Sequence, residues 1–235
     1  MQELSVKVFA DGADLDEIRE LAANPLIQGF TTNPTLMRKA GINDYEAFAR
    51  DVVVETGNHP ISFEVFSDEF DEMHRQALKI ASWGEHVNVK VPVTNTRGES
   101  TAPLVRELAE SGVRCNVTAL MTPAQVEVVT AALAPGPSAY ISVFAGRIAD
   151  TGRDPVPVMR ACLDIMATVP ALELIWASPR ELLNVFQADE IGCHVITATP
   201  DVLKKIGLVG KDLVEYSLET VKMFHADAAA AGYQV

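Results

Sequence analysis

The chain has 235 residues, 48% of them hydrophobic and 22% charged, and a net charge of −13. It is long enough for one large α/β domain or two small ones, either with a sizeable core. The acidic balance argues against nucleic acid and anionic membrane as partners for the surface as a whole. No apolar run reaches the roughly 18 residues of a spanning helix. The first twenty residues carry Glu3, Asp11, Asp14, Asp16 and Glu17, which is not the pattern of a secretory leader. Cys115, Cys162 and Cys193 are odd in number and lack metal-ligand spacing, so they read as small buried hydrophobes in a reducing compartment. A cytoplasmic protein is expected.

In chain order the first element is a strand over 6–10 that ends at Asp11, followed by a helix over 14–23. A strand over 29–32 leads into Asn33-Pro34, and two helical patterns fill the gap to residue 61, the second capped by Asp44. A strand over 61–66 carries Glu64 and precedes a helix over 68–82. The next strand, over 87–93, holds Lys90 and ends at Thr94, with a helix over 100–111 behind it. A strand over 114–119 carries Asn116 and Thr118, and Thr122-Pro123 opens a helix over 123–134. A strand over 140–144 carries Ser142 and leads into Arg147, before a helix over 155–169. The strand over 173–177 ends at Ser178, which with Pro179 reads as the cap of a helix over 179–188. A strand over 194–197 and helices over 200–206 and 211–231 complete the chain. Gly57, Gly84, Gly112, Gly192 and Gly207 fall where helices should stop.

Strict alternation of strand and helix argues for a parallel sheet. Eight such units in one domain over 1–235, with no linker or low-complexity tract, fit a compact (β/α)8 TIM barrel with a C-terminal helix. A doubly wound sheet is the alternative, but no Gly-rich phosphate loop follows any strand.

In such a barrel the chemistry sits at the C-terminal ends of the strands. There the chain places Asp11, Thr31, Asn33, Glu64, Lys90, Asn116, Thr118, Ser142, Arg147, Ser178 and Arg180. An ammonium group in an apolar strand is costly, and desolvation favours the neutral amine that a Schiff-base nucleophile needs. On its own segment a lysine of this kind reads as well as an edge-strand residue reaching water. Asp11 reads equally as a cap and Asn33-Pro34 as a turn former. Glu64, set among aromatic and β-branched residues, needs a partner, and a lysine on the adjacent strand supplies one. The five histidines show neither a triad partner nor metal-ligand spacing, so no metal is expected, and Schiff-base chemistry, in which the imine is the electron sink, calls for no cofactor.

Gly29-Phe30-Thr31-Thr32-Asn33-Pro34, followed by Val89-Lys90-Val91-Pro92-Val93-Thr94, resembles the transaldolase family. The similarity is narrowest to the short subfamily that includes fructose-6-phosphate aldolase, and it covers nearly the whole chain. The resemblance implies that Lys90 forms the Schiff base and that Asp11 is the acid/base of carbon–carbon cleavage. It implies further that Asn33, Asn116 and Ser142 hold the dihydroxyacetone part, and that Thr118 with Glu64 positions a catalytic water. Arg147, Ser178 and Arg180 correspond to the group gripping a substrate phosphate. Glu64, Ser142 and Phe144 stand where the similar aldolases carry glutamine, alanine and tyrosine. A tyrosine hydroxyl there helps water protonate the enamine and release dihydroxyacetone, whereas Phe144 leaves the enamine for an acceptor aldehyde. The expectation is therefore a transaldolase of the pentose phosphate type, acting on sugar phosphates. An aldolase releasing dihydroxyacetone, or a transaldolase for an unusual anionic sugar, is the alternative, and a non-enzymatic oligomeric barrel ranks last, because Asp11, Glu64 and Lys90 are all present. Pro179 departs from the aromatic residue common in the family and bears on the anion pocket. Rings of five or ten subunits are implied by the resemblance alone.

Overall fold

The structure is a computed structural model, and it describes residues 4–233. Its strands are β1 (Lys7–Asp11), β2 (Ile27–Thr31), β3 (Ile61–Glu64), β4 (Val87–Pro92), β5 (Cys115–Leu120), β6 (Ala139–Val143), β7 (Leu172–Trp176) and β8 (Val195–Ala198). All pair in parallel and in sequence order, and β8 closes on β1. The closed (β/α)8 barrel is the expected one, and it leaves no open sheet edge.

The helices are α1 (Leu15–Ala22), α2 (Pro34–Lys39), α3 (Tyr45–Thr56), α4 (Phe70–Ala81), α5 (Ala102–Glu110), α6 (Pro123–Leu133), α7 (Ala145–Asp150), α8 (Val156–Met166), α9 (Leu183–Glu190), α10 (Pro200–Leu203) and α11 (Leu213–Ala231). A 3-10 turn, Lys204–Leu208, continues α10 and divides what the sequence presents as one helix. Asp14, Asn33, Asp44 and Asp212 each accept backbone N–H groups at the start of a helix. Thr122 and Gln125 form a reciprocal capping box at α6. Gly57, Gly112 and Gly192 stop their helices at positive φ. Gly84 and Gly207 do not adopt it, and α4 is closed by Ser82. The short helix α7, directly behind β6, carries no cap signature, which is why the sequence does not announce it.

Two apolar layers hold the fold. The larger lies between sheet and helices and takes the outward residues of every strand, among them Val8, Val89, Val91, Val117 and Ile141. The smaller cluster contains Phe9, Ile175, Ala177 and Val195, flanked by Tyr140 and Phe144. The remaining inward positions are polar. Hydrogen bonds that skip a strand cross the barrel there: Asn116 on β5 to Ser62 on β3, Thr31 on β2 with Thr197 on β8, and Lys7 on β1 to Glu173 on β7. Gly29 makes room for the Phe9 ring, because a Cβ at that position would stand 2.5 Å from its Cζ. Replacing Gly29 by Ala therefore forces a fully buried ring to move, at a cost of about 1–3 kcal/mol. Thermal unfolding checks this; an unchanged midpoint would show that the ring is not confined.

Candidate active site

The C-terminal mouth of the barrel opens into a cavity of about 370 Å³. Eleven strand-end and loop residues that matter to it come from the ends of all eight strands: Asp11, Thr31, Asn33, Glu64, Lys90, Thr118, Ser142, Phe144, Arg147, Ser178 and Thr197. The register explains the convergence. Asp11 stands beside Thr31, and Glu64, Lys90 and Asn116 form one row across β3, β4 and β5.

Lys90 is only 6% exposed. Its Nζ donates to the Thr32 carbonyl oxygen at 2.9 Å and lies 3.4 Å from Glu64 Oε2. A buried ammonium or amine thus has both a neutral and an anionic partner, as burial demands. Asp11 Oδ1 accepts from the Thr31 hydroxyl at 2.8 Å, and Oδ2 from Asn33 Nδ2 at 3.3 Å. Asn33 is thereby fixed at both ends, because its Oδ1 also caps α2 at Leu36. Burial raises the Asp11 pKa above the ordinary carboxylate value, and the opposing pull of Lys90, Thr31 and Asn33 does not cancel it.

Asn116 is fully buried behind the cavity wall, and its amide is held by Ser62 Oγ at 3.0 Å and by the Ser142 hydroxyl at 2.7 Å. Thr118 is buried with a hydroxyl that has no protein partner. A bulge follows it, with Ala119 at φ 67°, and the β5–β6 register shifts across this point. The Arg147 guanidinium lies 5.6 Å from the centroid of the Phe144 ring, a cation–π contact on the cavity wall. Gly146 permits this corner: a Cβ there would stand 1.6 Å from the Ser178 carbonyl oxygen.

Two expectations need correction here. Ser178 does not cap a helix. Its φ is 56°, α9 begins only at Leu183, and the Asn184 side chain instead accepts from the N–H groups of Arg180 and Glu181. Asn33 and Thr122, which precede prolines and do cap helices, have extended backbone, whereas Ser178 is held at positive φ with its carbonyl oxygen against Gly146. Arg180 is not part of the cavity lining. Its guanidinium forks onto the Asp150 carboxylate at the end of α7, with Nε 2.8 Å from Oδ1. Conversely Thr197 lines the cavity and bonds Thr31 at 2.6 Å, although the sequence reading passed over it. The signal was present: Thr197 is a polar residue at a strand end, like the others. The three cysteines are buried, and burial pushes Cys115 and Cys193 up to about 12 and Cys162 up to about 11, which makes them unreactive as thiolates. Among the described residues no cluster of His, Cys, Asp and Glu is arranged to hold a metal ion. None of the described helices is long and apolar enough to cross a membrane.

A parallel barrel with a buried lysine between carboxylates at its C-terminal mouth is the architecture of a barrel enzyme. Solved structures agree on the fold alone. Dihydrodipicolinate synthase from Rhodopseudomonas palustris superposes with a TM-score of 0.58 at 14% identity, covering 82% of this chain and 69% of that one. 3-Dehydroquinate dehydratase from Geobacillus kaustophilus gives 0.56 at 16% identity, covering 84% and 83%. The family is decided by sequence. The model of the transaldolase/fructose-6-phosphate aldolase family matches residues 8–235. A "probable transaldolase" of Syntrophobacter fumaroxidans is 33% identical over 204 residues, 86% of this chain and 89% of that protein. One from Maridesulfovibrio salexigens is 32% identical over 222 residues, 93% and 99% of the two chains. The chain belongs to the transaldolase/fructose-6-phosphate aldolase family and is an enzyme of the transaldolase–aldolase type.

The raised Asp11 pKa has a consequence for stability. A carboxyl whose folded pKa lies above its unfolded value contributes fully at pH below the unfolded pKa, and loses that contribution as pH rises through the folded pKa. Asp11→Asn removes the ionisation. The variant should gain on the wild type as pH rises from the acid range to neutrality, in thermal melts across pH. A gain that is largest in acid would reverse the sign and refute the buried-carboxylate reading.

Proposed function

We propose that this enzyme is a cytoplasmic transaldolase of the pentose phosphate type. It moves a dihydroxyacetone unit from a ketose phosphate such as fructose 6-phosphate to an aldose phosphate such as erythrose 4-phosphate. The observation that carries the reading is the buried Lys90 amine, 3.4 Å from Glu64 and facing a closed-ended cavity. Neutral Lys90 attacks the ketone carbon. Glu64 exchanges protons with a water for which the unpartnered Thr118 hydroxyl is the holder, converting carbinolamine to imine with loss of water. Asp11 takes the C4 hydroxyl proton as the C3–C4 bond breaks, and the imine accepts the electron pair to become an enamine. A carboxylate held above its ordinary pKa suits a group that takes and returns a proton. The enamine then attacks the acceptor aldehyde, Asp11 returns the proton, and hydrolysis frees the product. No metal or cofactor enters this scheme.

Thr31 and Asn33 orient Asp11, and Asn33, Asn116 and Ser142 are assigned to the hydroxyls of the dihydroxyacetone part. Arg147 and Ser178 are assigned to the anionic tail. Phe144 supports transfer over release of dihydroxyacetone, because its ring brings no hydroxyl to the cavity wall. Arg180, engaged by Asp150, and Pro179 favour a second reading in which the tail is an unusual anion other than a simple phosphate. Borohydride trapping with fructose 6-phosphate should leave a reduced dihydroxyacetone adduct on Lys90. Lys90→Met should abolish both adduct and turnover while the fold remains; appreciable residual turnover would sink the assignment.

For partners, we propose sugar phosphates and further copies of this chain, and no nucleic acid or membrane. The 19-residue helix α11 has no buried residue and exposes Leu213, Leu218, Val221 and Phe224, an apolar face that another subunit would cover. A ring of five or ten copies is the assembly assigned here. Light scattering of the full chain should give a mass of five or more subunits, and a monomer at micromolar concentration would reject it.

A further inference from the structure

The end of β3 has a structural problem that α3 solves. The β2–β3 ladder is short: Phe30 pairs with Ile61 and Thr31 with Ser62, and β2 then ends. In a parallel sheet, alternate residues turn both backbone groups toward the same neighbouring strand. Ser62 faces β2, where its carbonyl accepts from Thr32 N–H, while Val65 N–H on the other side donates to the Lys90 carbonyl. Glu64 therefore turns its N–H and C=O toward β2 at a level where β2 has no residue left to offer. Both groups find a single atom instead. Tyr45 Oη accepts from Glu64 N–H at 2.9 Å and donates to the Glu64 carbonyl oxygen at 3.0 Å. One phenol thus stands in for a missing strand residue.

The phenol is itself fixed. Tyr45 is the first residue of α3, behind the Asp44 cap, and its ring packs against Phe66, Trp83 and Phe63 with centroids 4.5, 5.4 and 6.1 Å away. Burial raises the Tyr45 pKa, so the hydroxyl keeps the proton it donates. The residue so clamped is the one whose carboxylate stands 3.4 Å from Lys90 Nζ.

We propose that Tyr45 is a positioning residue for the reaction, acting through the backbone of Glu64 to hold that carboxylate in reach of Lys90 and its water. The inference rests on the Schiff-base reading above and extends it beyond the cavity, since Tyr45 does not line it. Tyr45→Phe keeps the ring and its packing but leaves both Glu64 backbone groups without their partner. The step that suffers is the proton exchange between carbinolamine and imine. Positional slack at a reacting group costs up to about a hundredfold in rate.

The test is a double-mutant cycle between Tyr45→Phe and Glu64→Gln, read as the single-turnover rate of borohydride-trappable adduct on Lys90 and as kcat and KM. Tyr45→Phe alone should lower the adduct rate and kcat about tenfold or more, with KM nearly unchanged. In the Glu64→Gln background the same change should have little further effect, because the group being aimed no longer exchanges protons. Equal losses in both backgrounds would mean that Tyr45 acts on the fold in general, and would overturn the proposal. So would an unchanged adduct rate in Tyr45→Phe. Should that variant fail to fold, Tyr45→His, which offers a polar ring in the same place, takes its position in the cycle and is judged by the same two outcomes. A folded wild-type chain that traps no ketose would instead bring down the Schiff-base reading itself, and this proposal with it.

Discussion

Everything at the mouth of this barrel depends on keeping an amine inside it. Lys90 is 6% exposed on a strand whose other neighbours are valines, and an uncompensated charge there would cost several kcal/mol. The structure compensates with a backbone carbonyl from the end of β2 and a carboxylate from β3. A second carboxylate, Asp11, faces the same space. Its own burial raises the Asp11 pKa, and the nearby Lys90 charge opposes the rise without cancelling it.

The rest of the interior follows from that demand. One side of the lumen is filled with Phe9, Ile175, Val195 and Tyr140 in the ordinary way of small barrels. The other carries a hydrogen-bonded line from Ser62 through Asn116 to Ser142. Every member of that line has a partner, which is the condition for a polar network in a core to rigidify it. Threonine pairs extend the same logic to Asp11, since Thr31 lies between Thr197 and the carboxylate. Of the buried hydroxyls without a partner, that of Thr118 lies on β5, next to the strand that carries the amine.

The cationic side is looser. Arg147 and Ser178 reach the cavity because Gly146 lets two loops touch, while Arg180 is held outward by Asp150. Both partners of that ion pair are about half exposed, so the pair itself contributes little to stability. Its importance is geometric, since it fixes which guanidinium faces the site.

The sequence by itself determined the architecture. Strand and helix alternate with caps such as Asp44 and Thr122 at their starts, and these are local signals in backbone chemistry that survive without tertiary context. It also determined most of the site, because polar residues at strand ends converge once a barrel closes: Glu64, Lys90, Asn116 and Ser142 lie 26 residues apart in succession and so recur at one level of the barrel. What only the tertiary structure decided were contacts between loops and across ladders. Pro179 looked like the first residue of a helix, yet Ser178 turned left-handed because its carbonyl packs on Gly146. Arg180 looked like a cavity residue, and Asp150, thirty residues away, took it. Tyr45 carried no signal at all, because its role comes from where β2 ends, a fact of pairing between strands and not of any one segment.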